Sequence, residues 1–387
     1  MIANEATSHR STTTALLLSA VLLSVGCGSD PPELPAGPEA RVTVDFDAQR
    51  LVAEREDLRL DEPLPADVAD TLDELRAVLA TGRDDPALRA RVGRALLEPI
   101  EQALRDAPRW VWRGAGTDPV PGSLATLPAW ILPWHRDQPV AAHHTVRLDW
   151  PADLAAPVPR TDPRARGDRL LLVAPFREGV APHRDDPDTL RHGLRAAVAH
   201  VDLLPRNDSD APALRRTLED DEHAWVWLRA TPRGLATLRP AFGALPGAVV
   251  WTLPGGLDPG SRPVLAPSTL ASGGIGPALV VVGSWPVAGS ALGRLVRPWM
   301  ELVTRGVPAD LALTEARREA IRSGQPVHVW SVLIAVGRTE GLAPPARATW
   351  LRRRLGSRGG PGPRSGRSEF LERSRILSAS APVPAPN

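Results

Sequence analysis

Residues 278–287 read Ala-Leu-Val-Val-Val-Gly-Ser-Trp-Pro-Val, and this stretch decides the fold class of the chain. It opens with apolar, mostly β-branched residues and closes with Gly-Ser-Trp-Pro. A short apolar run that ends at Gly and Pro is typical of a strand buried on both faces of a parallel sheet. A pattern with helical spacing follows over residues 290–305, so the two pieces predict half of a βαβ unit.

Similar apolar runs recur along the chain, and helical patterns separate them. We predict further strands over residues 42–51, 109–112, 144–148, 169–174, 224–228, 248–252 and 327–336. We predict further helices over residues 67–79, 85–104, 189–203 and 308–323. Strands that alternate with helices predict an α/β fold with a mostly parallel central sheet.

The composition excludes several classes of chemistry. The 387 residues carry a net charge of +1, so no overall field favours nucleic acid, and we expect no nucleic-acid partner. Lysine and tyrosine are absent, which excludes a Schiff-base lysine, a phosphate-loop lysine and a tyrosine nucleophile. The single cysteine, Cys27, allows no intramolecular disulfide.

An apolar run over residues 15–25 ends at Gly26 and Cys27. It is shorter than the roughly 20 residues that a transmembrane helix needs, but it has the length of the h-region of a secretory signal. Small residues followed by a cysteine resemble the lipobox of bacterial lipoproteins, with Ser24 where leucine is usual. The resemblance implies cleavage before Cys27 and lipidation of its thiol. An export signal without lipidation is the alternative.

These patterns predict four segments along the chain. They are a lipoprotein signal peptide (1–27), a Pro-rich tether (28–41), an α/β domain with a helical lead-in (42–342) and an Arg/Gly/Pro/Ser-rich disordered tail (343–387). Gly28 follows the cysteine where inner-membrane lipoproteins carry aspartate. The resemblance therefore favours a lipid anchor in the outer membrane of the bacterial cell envelope.

Colinear motifs over residues 91–341 resemble the CHAT family, whose caspase-like domains are related to caspases and separase. Residues 276–287 resemble the family segment G-A-R-x-V-V-x-S-L-W-P-V, with the interval from glycine to tryptophan kept. Residues 330–337 are similar to its terminal W-x-x-F-x-x-x-G strand, and residues 96–100 to its L-L-x-P-L motif. The resemblance implies a caspase-like three-layer sandwich, in which helices flank a mostly parallel central sheet.

The sequence departs from the family at both catalytic positions. Active members carry a histidine in an A-T-H-G corner and a cysteine at the end of a V-V-L-S-A-C strand. The corresponding corners here contain Pro232 and Pro254. Because proline supplies neither a nucleophile nor a base, the resemblance implies the fold and denies the peptidase activity.

Two arginines flank the first of these corners. Ligands of open α/β sheets bind beyond the carboxyl ends of the strands, where we expect both corners to lie. A guanidinium group can hold a carboxylate bidentately, so Arg229 and Arg233 are candidate binding residues. Pairing with acidic residues nearby in the chain is the alternative interpretation.

Other candidate sites are weaker. His192 and His200 are placed two turns apart on a predicted helix, and no carboxylate spacing completes a metal site around them. We therefore predict no metal and no cofactor. We expect a protein or peptide of the cell envelope as partner, with membrane contact through the lipid. A hydrolase with a non-standard nucleophile and a purely structural envelope lipoprotein remain alternatives.

Overall fold

The computed structural model describes residues 37–56, 58–115, 129–135, 138–150, 158–159, 169–174, 187–204, 210–220, 223–254, 270 and 275–337. The expected signal peptide, the lipidation site at Cys27 and the tail over residues 343–387 lie outside these ranges. So do residues 255–260, which follow the second corner. The first described strand begins at Glu39, inside the range expected for the tether.

The described strands and helices alternate through most of the chain. The strands are β1 (Glu39–Asp45), β2 (Arg50–Arg55), β3 (Leu58–Pro63), β4 (Arg109–Ala115), β5 (Thr145–Leu148), β6 (Val158–Pro159), β7 (Arg169–Val173), β8 (His200–Leu204), β9 (His223–Arg229), β10 (Ala248–Thr252), β11 (Ile275–Gly276), β12 (Leu279–Gly283) and β13 (Leu333–Gly337). The α-helices are α1 (Val68–Ala80), α2 (Pro86–Leu96), α3 (Glu101–Leu104), α4 (Pro187–Ala197), α5 (Ala211–Asp220), α6 (Pro232–Leu238), α7 (Gly289–Val303), α8 (Ala309–Arg322) and α9 (Val327–Trp330).

The longer strands form one 11-stranded sheet in the order β3-β2-β1-β4-β5-β13-β12-β10-β9-β7-β8, while β6 pairs with β11. Strands β1, β4, β5 and β13 run parallel to one another. Strands β12, β10, β9, β7 and β8 form a second parallel group. The predicted fold class, α/β with a large, mostly parallel central sheet flanked by helices, is confirmed.

The two parallel groups run in opposite directions because β12 and β13 pair antiparallel. The amino ends of β4, β5 and β13 therefore lie at the same edge of the sheet as the carboxyl ends of β9, β10 and β12. We call this edge the shared edge. Every residue of β9, β10, β12 and β13 is buried, as expected for strands that are covered on both faces.

Tryptophan rings and small residues fit the helices onto the sheet. Trp299 of α7 packs edge-on against Trp225 and Trp227 of β9, with ring centroids 5.9 and 6.2 Å away. Helix α4 crosses α7 where Gly193 meets Gly293, and a Cβ on Gly193 would lie 3.6 Å from the Gly293 Cα. These contacts bury the apolar face of α7 that the sequence pattern predicts.

Two sequence predictions are wrong at the ends of helices and strands. Residues 327–336 are not one strand, because α9 follows Pro326 and the Ser331 hydroxyl donates to the Val327 carbonyl before β13 begins. Residues 189–203 are not one helix, because α4 ends at Ala197 and β8 then pairs with β7. His192 and His200 consequently do not share a helix face.

The structure differs from the sequence prediction in three further places. Pro99 has no amide hydrogen, and a 3-10 turn over Glu98–Ile100 separates α2 from α3 within the single predicted helix. The predicted first strand is an antiparallel pair, β1 and β2. Strand β3 and helix α5 carry too few consecutive apolar residues to be recognised from the sequence.

Trp285 tests the assignment of the sheet corner. Its ring is 2% exposed, and its indole N–H donates to the His328 carbonyl at 2.7 Å. We expect Trp285→Ala to lower the free energy of unfolding by about 3–5 kcal/mol, because truncation of a buried tryptophan leaves a cavity. Chemical denaturation measures the loss, and the exposed α4 substitution His192→Gln is the control. A variant as stable as the parent would contradict this placement of Trp285.

Candidate functional site

The two corners that contain Pro232 and Pro254 emerge side by side at the shared edge. Arg229 and Thr252, the last residues of β9 and β10, are register partners. The Ala230 amide donates to the Thr252 carbonyl at 3.1 Å, and the Trp251 indole donates to the Ala230 carbonyl at 3.0 Å. The structure therefore brings together the strand ends that lead to Pro232 and Pro254.

The first corner is a helix start, where we expected a loop. Thr231 is the N-cap of α6, and its hydroxyl accepts from the Gly234 amide at 3.1 Å. Pro232 occupies the first turn, where its fixed φ suits a helix and its missing amide hydrogen costs nothing. Pro232 is half-buried, whereas Arg233 is exposed. The second corner is tighter, since Leu253 and Pro254 are both buried.

Arg229 lies inside the core and does not flank a surface loop. Its side chain is fully buried, and it donates to the Val287 carbonyl at 2.7 Å and to the Thr252 hydroxyl at 3.4 Å. The guanidinium group thus links the end of β9 to the end of β10 and to the segment after β12. Of the two candidate binding arginines, only Arg233 is exposed to solvent.

Thr252 is the polar centre of these strand ends. Its hydroxyl also accepts from the Trp227 indole at 2.9 Å. Its methyl group occupies the space beside Gly283, where an added Cβ would lie only 3.1 Å from the Thr252 Cγ2. A side chain at position 283 would therefore displace the threonine that holds Arg229.

Ser284 follows β12 and is the residue that we consider as a non-standard nucleophile near these strand ends. It is 5% exposed, and its Oγ has no hydrogen-bond partner within the described ranges. A serine nucleophile requires an adjacent base that takes its proton. Ser284 therefore lacks an activating group in the described part of the chain.

A second polar network supports the other half of the shared edge. Asp310 of α8 is buried and pairs with Arg109, the first residue of β4, at 3.0 Å. Arg317 is buried two turns further along α8, lies 4.7 Å above the Trp130 ring and donates to the Leu333 carbonyl. Burial lowers the pKa of Arg317 to about 9, although the Asp310 charge opposes this shift, so the guanidinium stays charged at neutral pH.

Sequence reasoning missed this network, but a signal for it exists. Asp310 and Arg317 stand seven residues apart, so they share one face of α8. Leu313 and Thr314 lie between them on that face, and both are buried. Charged residues on the otherwise apolar face of a predicted helix would have indicated a buried pair.

Histidine 144 lies in an aromatic cluster at the amino end of β5. Its ring stacks on Trp110 with centroids 4.3 Å apart, and Trp134 meets it edge-on at 5.6 Å. Its Nδ1 is 2.9 Å from the Ala107 carbonyl, so the neutral ring donates there. Burial lowers the pKa of His144 from 6.5 to about 4, which keeps the ring neutral at physiological pH.

A cavity of about 230 Å³ lies next to this cluster, and we call it the Trp134 cavity. It opens between α2, the 3-10 turn, α3 and residues 133–135. Its walls are Ala90, Gly93, Arg94, Leu97, Glu98, Glu101, Pro133, Trp134 and His135. No sequence motif pointed to it.

The described ranges contain neither a candidate metal-ligand cluster nor a candidate membrane-spanning helix. Within those ranges, no group of three or more His, Cys, Asp or Glu side chains is placed to hold a metal ion. The same ranges contain no helix with the length and apolar character that a bilayer crossing requires.

Comparison with protein families finds no match, and comparison with curated proteins finds none. Among solved structures, the chain is similar to the complex of pro- and mature domains of RgpB from Porphyromonas gingivalis, at TM-score 0.43 and 8% identity over 72% of this chain and 78% of that one. It is similar to the Arg-specific cysteine proteinase gingipain R at TM-score 0.43 and 9% identity, over 81% and 79% of the two chains. It is also similar to separase in the Saccharomyces cerevisiae separase–securin complex, at TM-score 0.37 and 10% identity, over 67% of this chain and 17% of that one.

Because burial lowers the pKa of His144, we expect the folded protein to lose stability in mild acid. As the pH falls below 6.5, the unfolded chain binds a proton at this histidine, whereas the folded protein does not until the pH approaches 4. The cost reaches about 2 kcal/mol near pH 5 and about 3 kcal/mol below the folded pKa. Denaturation between about pH 7 and pH 5 should show this loss.

The control variant is His144→Gln, which keeps a donor for the Ala107 carbonyl but cannot titrate. It should lose less stability than the parent over the same pH range, whatever its stability at neutral pH. Equal losses in parent and variant would mean that His144 is not held in its neutral form by burial.

Proposed function

We propose that the protein is a caspase-like domain, related to the CHAT family, that has lost the catalytic dyad and acts by binding a protein or peptide in the bacterial cell envelope. One observation carries the proposal. The ends of β9 and β10 are hydrogen-bonded neighbours, and each leads to a proline where the family has a catalytic residue.

The surroundings of these prolines supply no substitute chemistry in the described ranges. The Arg229 guanidinium is occupied by the Val287 carbonyl and the Thr252 hydroxyl. Ser284 has no base against its hydroxyl. A hydrolase with a non-standard nucleophile would therefore need groups from outside the described residues, and we rank it second.

The same geometry favours recognition. Ligands of open α/β sheets bind beyond the carboxyl ends of the strands, which is where both corners stand. Proline and the Thr231 cap fix the backbone of the first corner, so little conformational freedom is lost on binding. Arg233 is exposed at the start of α6, and its guanidinium suits a carboxylate of the partner.

Two measurements test the proposal. The purified protein should cleave no member of a diverse peptide library and should react with no covalent probe for serine, threonine or cysteine hydrolases. A photo-crosslinking residue is placed at Ala236, an exposed position three residues after Arg233. It should capture a partner in envelope extract. The soluble domain should compete for this capture, and Arg233→Gln should weaken it by about threefold or more.

The outcomes separate the three functions. A crosslinker at the exposed Asp73 of α1 is the control and should capture nothing that the soluble domain competes away. Turnover that a single substitution such as Ser284→Ala abolishes would establish the hydrolase instead. Absence of both turnover and specific capture would leave a purely structural envelope protein.

The lipid anchor is a separate proposal that rests on the sequence around Cys27. We expect Cys27→Ser to release the protein from the membrane fraction and to abolish labelling with an alkynyl fatty acid in the bacterial host. Ser29→Ala is the matched control and should change neither readout. Membrane retention with unchanged labelling in Cys27→Ser would exclude lipidation at this cysteine.

A further inference from the structure

The Trp134 cavity is bounded by a close contact between a helix and a loop. Gly93 of α2 faces Pro133, and a Cβ on Gly93 would lie 3.1 Å from the Pro133 Cδ. The Trp134 amide donates to the Gln138 carbonyl at 2.7 Å, and Pro133 forms a bridge with Pro139. Main-chain contacts with Gln138 and Pro139 therefore hold the backbone of Pro133 and Trp134 in place.

The walls of the cavity combine apolar surface with charges of both signs. Ala90, Leu97 and Pro133 contribute apolar surface. Glu101 is engaged by Arg105 at 2.8 Å. Arg94 and Glu98, one helical turn apart, are both exposed, and neither has a hydrogen-bond or ion-pair partner within the described ranges.

We propose that the Trp134 cavity binds the basic side chain of a peptide, with the arginine or lysine stem along the Trp134 ring and its cationic group at Glu98. This site lies beside α2 and the start of β4, whereas the corners of the proposed function follow β9 and β10. The inference therefore goes beyond that function and does not depend on it.

The volume suits one side chain. At about 30 Å³ for each water molecule, a cavity of about 230 Å³ has room for roughly eight waters. An arginine side chain has a similar number of heavy atoms. Pockets for drug-sized ligands are larger, at about 300–1,000 Å³, so a whole cofactor is a poor match.

The Trp134 ring favours a cation over an anion. Glu101 is engaged by Arg105, so Glu98 and Arg94 leave the walls with one further charge of each sign. The face of a tryptophan ring attracts an ammonium or guanidinium group within about 6 Å of its centroid. A free carboxylate such as Glu98 can accept two parallel hydrogen bonds from an arginine ligand. Arg94 would repel the same ligand. Removal of the Glu98 charge and removal of the Arg94 charge should therefore change the affinity in opposite directions.

The cavity also belongs to the shared edge. Trp134 packs against Trp110 of β4 with ring centroids 5.0 Å apart. Strand β10 stands four positions away from β4 in the sheet, which corresponds to about 19 Å at the usual strand spacing. A ligand in the cavity therefore leaves the corner at Pro254 unoccupied, and the two sites can be tested separately.

The experiment uses the full protein and capped amino acids as probes. Acetyl-arginine amide is titrated against its neutral isostere, acetyl-citrulline amide, with binding followed by ligand-observed NMR. We expect arginine to bind with a Kd of about 1 mM and citrulline to bind at least about tenfold more weakly, because citrulline lacks the charge. Added salt should weaken arginine binding.

Two exposed substitutions give the decisive comparison. Glu98→Gln should weaken arginine binding by about threefold or more, whereas Arg94→Gln should strengthen it by a similar factor, because it removes a like charge. Glu219→Gln, an exposed substitution on the remote helix α5, should leave the affinity unchanged. All three residues are on the surface, so the folded state should survive each change.

The proposal fails on any of three results. These are equal affinities for arginine and citrulline, no arginine binding at all, and a change in the same direction for Glu98→Gln and Arg94→Gln. None of these results bears on whether the corners at Pro232 and Pro254 bind a partner, and crosslinking from Ala236 does not bear on the cavity. Failure of the cavity proposal can therefore be distinguished from failure of the proposed function.

Discussion

The antiparallel pairing of β12 with β13 is the constraint on which the rest of the structure depends. Their register joins Gly283 to Leu333 and Leu279 to Gly337. Gly337 has φ +88°, and a Cβ there would lie 2.5 Å from the Ala278 carbonyl oxygen, so only glycine fits this end of the pair. Reversal of direction at this one junction brings the amino ends of one parallel group and the carboxyl ends of the other to the shared edge.

Two buried arginines stabilise the two sides of that edge in the same way. Arg229 donates to the Val287 carbonyl beyond β12, and Arg317 donates to the Leu333 carbonyl at the start of β13. Removing a guanidinium group from water is costly, and main-chain carbonyls recover part of that cost through charge-assisted hydrogen bonds. At Arg317 this recovery is incomplete, because its buried Nε has no hydrogen-bond partner within the described ranges. These groups hold irregular chain ends in place, which apolar side chains of similar size could not do.

The sequence predicted the parts of the fold that depend on continuous apolar runs. The β10 prediction agrees with the structure at both ends, and α7 begins within one residue of its predicted start. Prediction from the sequence failed where a short helix or strand follows a turn, as at α9 and β8, because a few residues carry too little periodicity. It also could not tell that Arg229 points into the core while Arg233 does not. That difference arises because β9 ends at Arg229 and the chain then turns at the Thr231 cap, which depends on tertiary packing.

Pro232 and Pro254 limit what the two corners can do chemically. A general base must be able to reach the proton that it takes, and its own orientation must be held by a third group. A proline at a helix start does the opposite, since it contributes a fixed backbone and no polar side chain. Fixed backbone shape is an advantage for recognition, because less ordering entropy is lost when a ligand binds. In the proposed function, the prolines that leave these corners without a polar side chain are therefore also the residues that favour a rigid binding surface.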